Sequence, residues 1–110
     1  MMISTAEEQG CAEQLARFFP KLLAVRIPVR VIAKRPGQSQ AQEATVIEYA
    51  AEEFAIFLCR LALEFDDRVE LAREGGRPEE AAVIALQYQA GSKAVAVRFV
   101  NGPCGWMINP

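Results

Sequence analysis

Arg26 and Arg30 stand four residues apart, an R-x-x-x-R spacing, within the run Val25-Arg26-Ile27-Pro28-Val29-Arg30-Val31-Ile32-Ala33-Lys34-Arg35. A guanidinium fork binds phosphate and carboxylate oxygens through paired hydrogen bonds, and it reads the O6/N7 edge of guanine in the same way. Recognition of an anion or a guanine base is the chemistry these residues offer. The competing account of Arg26 and Arg30 is a solvated strand face.

The tools of catalysis are sparse. The 110 residues contain no histidine, which removes the commonest general base and the His-assisted nucleophiles. Cys11, Cys59 and Cys104 are widely separated, have no metal-type spacing, and read as small buried hydrophobes. Cys104, in Gly102-Pro103-Cys104-Gly105-Trp106, has no cationic neighbour to activate it. Glu52, Glu53, Glu64, Asp66 and Asp67 are better read as solvated loop charge than as acid–base pairs, since neighbouring strand residues point to opposite faces. The expectation is a non-catalytic protein with no metal and no resident cofactor.

The elements that must carry the cations follow from periodicity. Val25, Ile27, Val29, Val31 and Ala33 alternate with Arg26, Pro28, Arg30 and Lys34, broken by Ile32, which predicts a half-buried strand with its cations outward. Upstream, Thr5-Ala6-Glu7-Glu8 has the form of a capping box, and Cys11, Leu15, Phe18 and Leu22 follow at helical spacing. Pro20 disfavours helical geometry at Phe19, so a helix over 5–19 is expected, laying Leu15, Phe18 and Phe19 on a sheet. Arg35-Pro36-Gly37-Gln38-Ser39 is a turn into a second strand from Ala41 to Tyr49, with Thr45, Ile47 and Tyr49 on one face. Glu74-Gly75-Gly76-Arg77-Pro78 is another turn. Residues 83–88 and 94–100 flank a Gly-containing loop and read as a hairpin, ahead of a short apolar tail at Gly105-Trp106-Met107-Ile108.

The middle of the chain supports two accounts. Ile47, Ala50, Ala51, Phe54, Leu58, Leu61, Ala62 and Phe65 fit one face of a helix, and the composition favours one. Against it, Phe54-Ala55-Ile56-Phe57-Leu58-Cys59 reads as a fully buried strand, and Asp66-Asp67-Arg68-Val69-Glu70-Leu71 as a turn entering another. Local propensity favours a small α+β domain with a helix at 47–65; the order of the surrounding elements favours strands.

That order, with the strand at Ile27-Pro28-Val29-Arg30-Val31, the segment from Leu61 to Leu71, and a hairpin closing on Val95-Ala96-Val97-Arg98-Phe99, resembles the PilZ domain, a bacterial receptor module for cyclic di-GMP, over residues 17–108. The resemblance implies a mainly β fold, a six-stranded antiparallel barrel over 25–110 preceded by an N-terminal helical segment over 1–24. Many members carry a Pro and a Gly where Ala62 and Asp66 stand here. The family's ligand motifs are R-x-x-x-R before the first strand and [DN]-x-S-x-x-G at the end of the second. For the first, Arg26 and Arg30 match the letters but lie inside the strand; Arg17 and Lys21 are better placed, with lysine for the second arginine. The second falls on Glu48-Tyr49-Ala50-Ala51-Glu52-Glu53, where only the acid at Glu48 survives.

These departures weigh against ordinary ligand binding. Lysine lacks the planar fork, Ala50 has no hydroxyl, and Glu53 puts a carboxylate where a bisphosphate belongs, a repulsion of about 1 kcal/mol at a partly exposed site. Arg17, Lys21, Arg26, Arg30 and Glu48 are thus the candidate cyclic di-GMP residues of a degenerate site. The resemblance implies a signalling module that acts in trans on a protein partner, with cyclic di-GMP binding weakened or lost, or else a working receptor with an altered site. A net charge of −2 gives no pull toward a nucleic-acid polymer. No stretch has the length and apolarity of a signal peptide or a membrane span, so the cytoplasm is the expected location.

Overall fold

The computed structural model describes residues 11–19, 21–34, 40–89 and 91–103. Six strands, β1 (Leu23–Ala33), β2 (Ala41–Ala50), β3 (Phe54–Leu58), β4 (Arg68–Ala72), β5 (Glu79–Gln89) and β6 (Ser92–Phe99), close a barrel in the order β1-β2-β3-β6-β5-β4. Every neighbouring pair is antiparallel, and β4 closes the ring on β1 through Arg30↔Ala72 to Ala33↔Val69. The expected mainly β, six-stranded barrel is what the chain forms. The alternative helix at 47–65 is overturned, because that segment supplies the end of β2 and all of β3.

Its apolar density has a different cause from a helical stripe: β3 is buried on both faces. Ala55 and Phe57 join Ile27, Val29, Val31, Ile47, Val69, Leu71, Val83, Val95 and Val97 in the barrel interior. Ile56 faces the other way, into a second cluster with Cys11, Ala12, Leu15, Ala94 and Ala96. A strand buried on both sides loses its alternation and reads as a continuous apolar run. The second cluster exists because a short helix over 11–16 (α1) lies on the outer wall made by β3, β6 and β5. Ala94 and Ala96 keep that wall low enough for the helix to seat.

The helix face differs from the expected one. Cys11, Ala12 and Leu15 are buried and Phe19 packs on Phe54, ring centroids 5.2 Å apart, whereas Phe18 is 76% exposed. The last turn tightens, with Phe18 N–H donating to the Leu15 carbonyl at 3.1 Å and Phe19 N–H to that of Ala16 at 3.1 Å. Bonds to the third residue back rotate the chain further per residue than α geometry does, and Phe18 swings away from the wall. The proposed cap at Thr5 and Glu8, the turn at 35–39, and Cys104 and Trp106 lie outside the described residues.

β1 behaves as its alternation predicts. Ile27, Val29 and Val31 point in; Arg26, Pro28 and Arg30 point out and are exposed. β2 departs from expectation at Tyr49. Ile47 pairs with Phe57 and Tyr49 with Ile56, so Glu48 is an extra residue in a bulge. The bulge flips parity: Ile47 joins the interior, while Tyr49 packs outside against the α1 cluster and does not share the face of Thr45 and Ile47.

Candidate functional site

Antiparallel pairing brings the two motif segments to one end of the barrel. Leu23, at the start of β1, pairs with Ala50, at the end of β2, and Ala24 pairs with Tyr49. The Phe19–Phe54 ring contact ties the segment leading into β1 to the start of β3, just beyond the β2–β3 turn. Arg17 and Lys21 are therefore on exposed backbone beside the turn that carries Glu52 and Glu53, both exposed. Lys21 adopts a left-handed conformation, φ 63°. A side chain other than Gly, Asn or Asp seldom accepts that region, and such residues gather where surrounding structure fixes a loop shape.

The remaining candidates divide. Arg26 faces outward where β1 shifts register opposite Glu48, and it makes no hydrogen bond or ion pair among the described residues. Arg30 lies farther along β1, where its Nη1 donates to Gln42 Oε1 at 3.1 Å. Arg26 thus lies beside Glu48 at the register shift, five residues along the chain from Lys21, and Arg30 lies farther along the strand.

Glu48 is half-buried at the edge of the covered wall, and its charge is felt there. The Tyr49 phenol is pushed above its ordinary pKa by burial first, then by the carboxylates of Glu13 and Glu48. Burial likewise raises the Cys11 thiol, with Glu48 adding to the effect. Cys11 Sγ donates to the Gln87 carbonyl at 3.3 Å, so the thiol is a packed, hydrogen-bonded group. With Glu52 and Glu53 in the adjacent turn, this end of the barrel carries at least three carboxylates as well as the cations of the segment leading into β1. Ala50 points into the core, 1% exposed, so the position of the motif's serine offers no polar group to the outside.

The corner before β4 is built on Asp66, whose φ is 72°. Its N–H donates to the Val83 carbonyl at 2.8 Å, Val83 N–H returns a bond to the Asp67 carbonyl at 2.9 Å, and Asp67 Oδ2 accepts from Glu64 N–H at 2.8 Å. Asp is among the few side chains that tolerate left-handed backbone, which is ordinarily glycine's. Among the described residues, no three His, Cys, Asp or Glu side chains are grouped to hold a metal, and no helix is long and apolar enough to cross a membrane.

The opposite end of the barrel contains polar groups that sequence motifs did not single out. Glu43 Oε1 accepts from the backbone N–H of Arg60 at 2.7 Å and of Leu61 at 3.2 Å, and from Cys59 Sγ at 3.5 Å. Lys93 Nζ donates to the Leu61 carbonyl. Burial, helped by Glu43, pushes the Cys59 thiol from 9.0 up to about 11. A parity signal was present: Glu43 shares inward register with Thr45 and Ile47, and Lys93 with Val95 and Val97, although both are charged. The chain matches no protein-family model, and no curated protein matches its sequence.

Proposed function

We propose that the chain is a PilZ-like signalling adaptor, a non-catalytic module that works through contact with a protein partner and in which cyclic di-GMP binding is weakened or lost. The observation that carries this is the composition of one barrel end. The segment before β1 and the β2–β3 turn meet there, as the resemblance to PilZ domains requires, yet the turn presents Glu52 and Glu53 and buries Ala50. Phosphate binding draws its strength from converging cationic and N–H donors, and nearby carboxylates oppose it. The left-handed Asp66, at the position where many family members carry Gly, supports the same alignment. Exposed Phe18 and Leu23, at 76% and 65%, supply apolar area at that end for a protein partner.

The alternative, a working cyclic di-GMP receptor with an altered site, is favoured by exposed Arg17 and Lys21 and by exposed Arg26, which has no hydrogen bond or ion pair among the described residues. Isothermal titration calorimetry with cyclic di-GMP separates the two. The adaptor gives no saturable heat. Micromolar binding abolished by Arg17→Ala/Lys21→Ala or by Arg26→Ala/Arg30→Ala makes the chain a receptor and assigns the cationic pair that holds the ligand.

A further inference from the structure

The barrel is open at the end away from the β2–β3 turn. β3 stops at Leu58, while β2 starts far enough back that residues 41–46 have no β3 partner. A cavity of about 680 Å³ opens in that gap, walled by Glu43, Thr45, Cys59, Arg60, Tyr88 and Lys93. Its size is that of a small-molecule site, and barrel mouths are a recurrent place for one.

The mouth is held in shape before any ligand arrives. The strap at Cys59-Arg60-Leu61 is fixed from one side by Glu43, through the two backbone amides and the thiol, and from the other by Lys93 through the Leu61 carbonyl. Thr45 Oγ1 adds a bond to the Leu58 carbonyl at 2.6 Å. Two groups remain uncommitted. Tyr88, opposite Lys93 in the β5–β6 hairpin, is 67% exposed. Arg60 is exposed at the rim with no side-chain bond or ion pair among the described residues.

Charge selects the ligand class. Arg60 and Lys93 stand against the single carboxylate of Glu43, one of whose oxygens already accepts from backbone and thiol. Two other barrel cations are matched by carboxylates: Lys34 with Glu70 at 3.0 Å and Arg68 with Glu80 at 3.3 Å. We propose that the mouth binds a small aromatic anion. Its planar ring lies on Tyr88, and its carboxylate or phosphate is held between Arg60 and Lys93. This site is independent of cyclic di-GMP recognition, which would engage the other end of the barrel.

The test is an amide-resolved NMR titration of the full chain with AMP, phenyl phosphate and benzoate, beside adenosine and inorganic phosphate. The expected result is saturable shifts for aromatic anions at the amides of Cys59, Arg60, Leu61, Gly91, Ser92 and Lys93. Adenosine and phosphate alone should bind at least about tenfold more weakly, and so should the aromatic anions to Arg60→Gln or Tyr88→Ala. Both substitutions are at exposed side chains, so the remaining resonances should stay in place and report an intact fold. The proposal is overturned if no aromatic anion gives saturable shifts up to about 10 mM. Inorganic phosphate binding as well as the aromatic anions, or shifts centred on Arg26 and Glu48, would overturn it equally.

Discussion

The two outer walls of the barrel are built from similar residues and meet opposite fates. On the wall of β3, β6 and β5, Ala94, Ala96 and Ile56 are fully buried under α1. On the wall of β1, β2 and β4, Ala44 faces solvent opposite exposed Arg30, and Ala72 and Val46 are half-buried with nothing described above them. Alanine does not decide burial; the partner laid over it does. The covered wall is a second core, whereas the other wall carries Arg26 and Arg30 and keeps the alternation of a solvated face. One wall is packed as a second core, and the other stays solvated.

Substitutions of one kind on the two walls test this contrast most severely. Ala96→Glu places a carboxylate under α1 with no partner and should destabilise the fold by about 4 kcal/mol or more, whereas Ala44→Glu should change stability by less than about 0.5 kcal/mol. Urea unfolding of both variants checks the pair, and equal losses would erase the distinction between the walls. The helix offers a second, smaller contrast. Leu15→Ala removes a buried anchor and should cost about 3 kcal/mol, with Phe18→Ala nearly neutral in the same assay.

The two described thiols extend the comparison to the barrel interior. Cys59 is 3% exposed and its pKa is raised to about 11, so the folded state holds the proton more tightly than the unfolded chain does. Its contribution is complete below pH 9.0, the ordinary value, and is lost as pH rises through about 11. The loss should approach about 2–3 kcal/mol between those limits, and Cys59→Ala should flatten the curve of stability against pH there. The smallest expected effect is at the corner before β4. Asp66→Ala should cost about 1 kcal/mol while Asp66→Gly stays within about 0.5 kcal/mol, because left-handed backbone penalises a Cβ. Thermal unfolding distinguishes them.

Legibility in the sequence followed burial geometry. β1 was plain because one face is wet and the other dry. β3 was ambiguous because α1 dries its outer face, and a segment dry on both sides has no period to read. Tyr49 was assigned to the wrong face because one bulge residue, Glu48, inverts parity without leaving a mark in composition. Phe18 was misplaced because the final turn of α1 tightens. The spacing of Arg26 and Arg30 was plain in β1, whereas Arg17 and Lys21 became candidates only through the resemblance to PilZ domains. The mouth draws Glu43, Arg60, Tyr88 and Lys93 from separate segments, and only the closed barrel order makes them neighbours.

The central claim is that the chain has the PilZ arrangement with a disabled ligand end, and rebuilding that end tests it most directly. The variant Lys21→Arg/Glu48→Asp/Glu53→Gly restores the arginine pair, the motif's acid and its glycine, and leaves the buried Ala50 in place. Titrated calorimetrically with cyclic di-GMP, the account predicts saturable binding to the rebuilt chain and none to the natural one. A rebuilt chain that is folded by circular dichroism and still binds nothing would contradict the PilZ arrangement, and binding by the natural chain would contradict the loss.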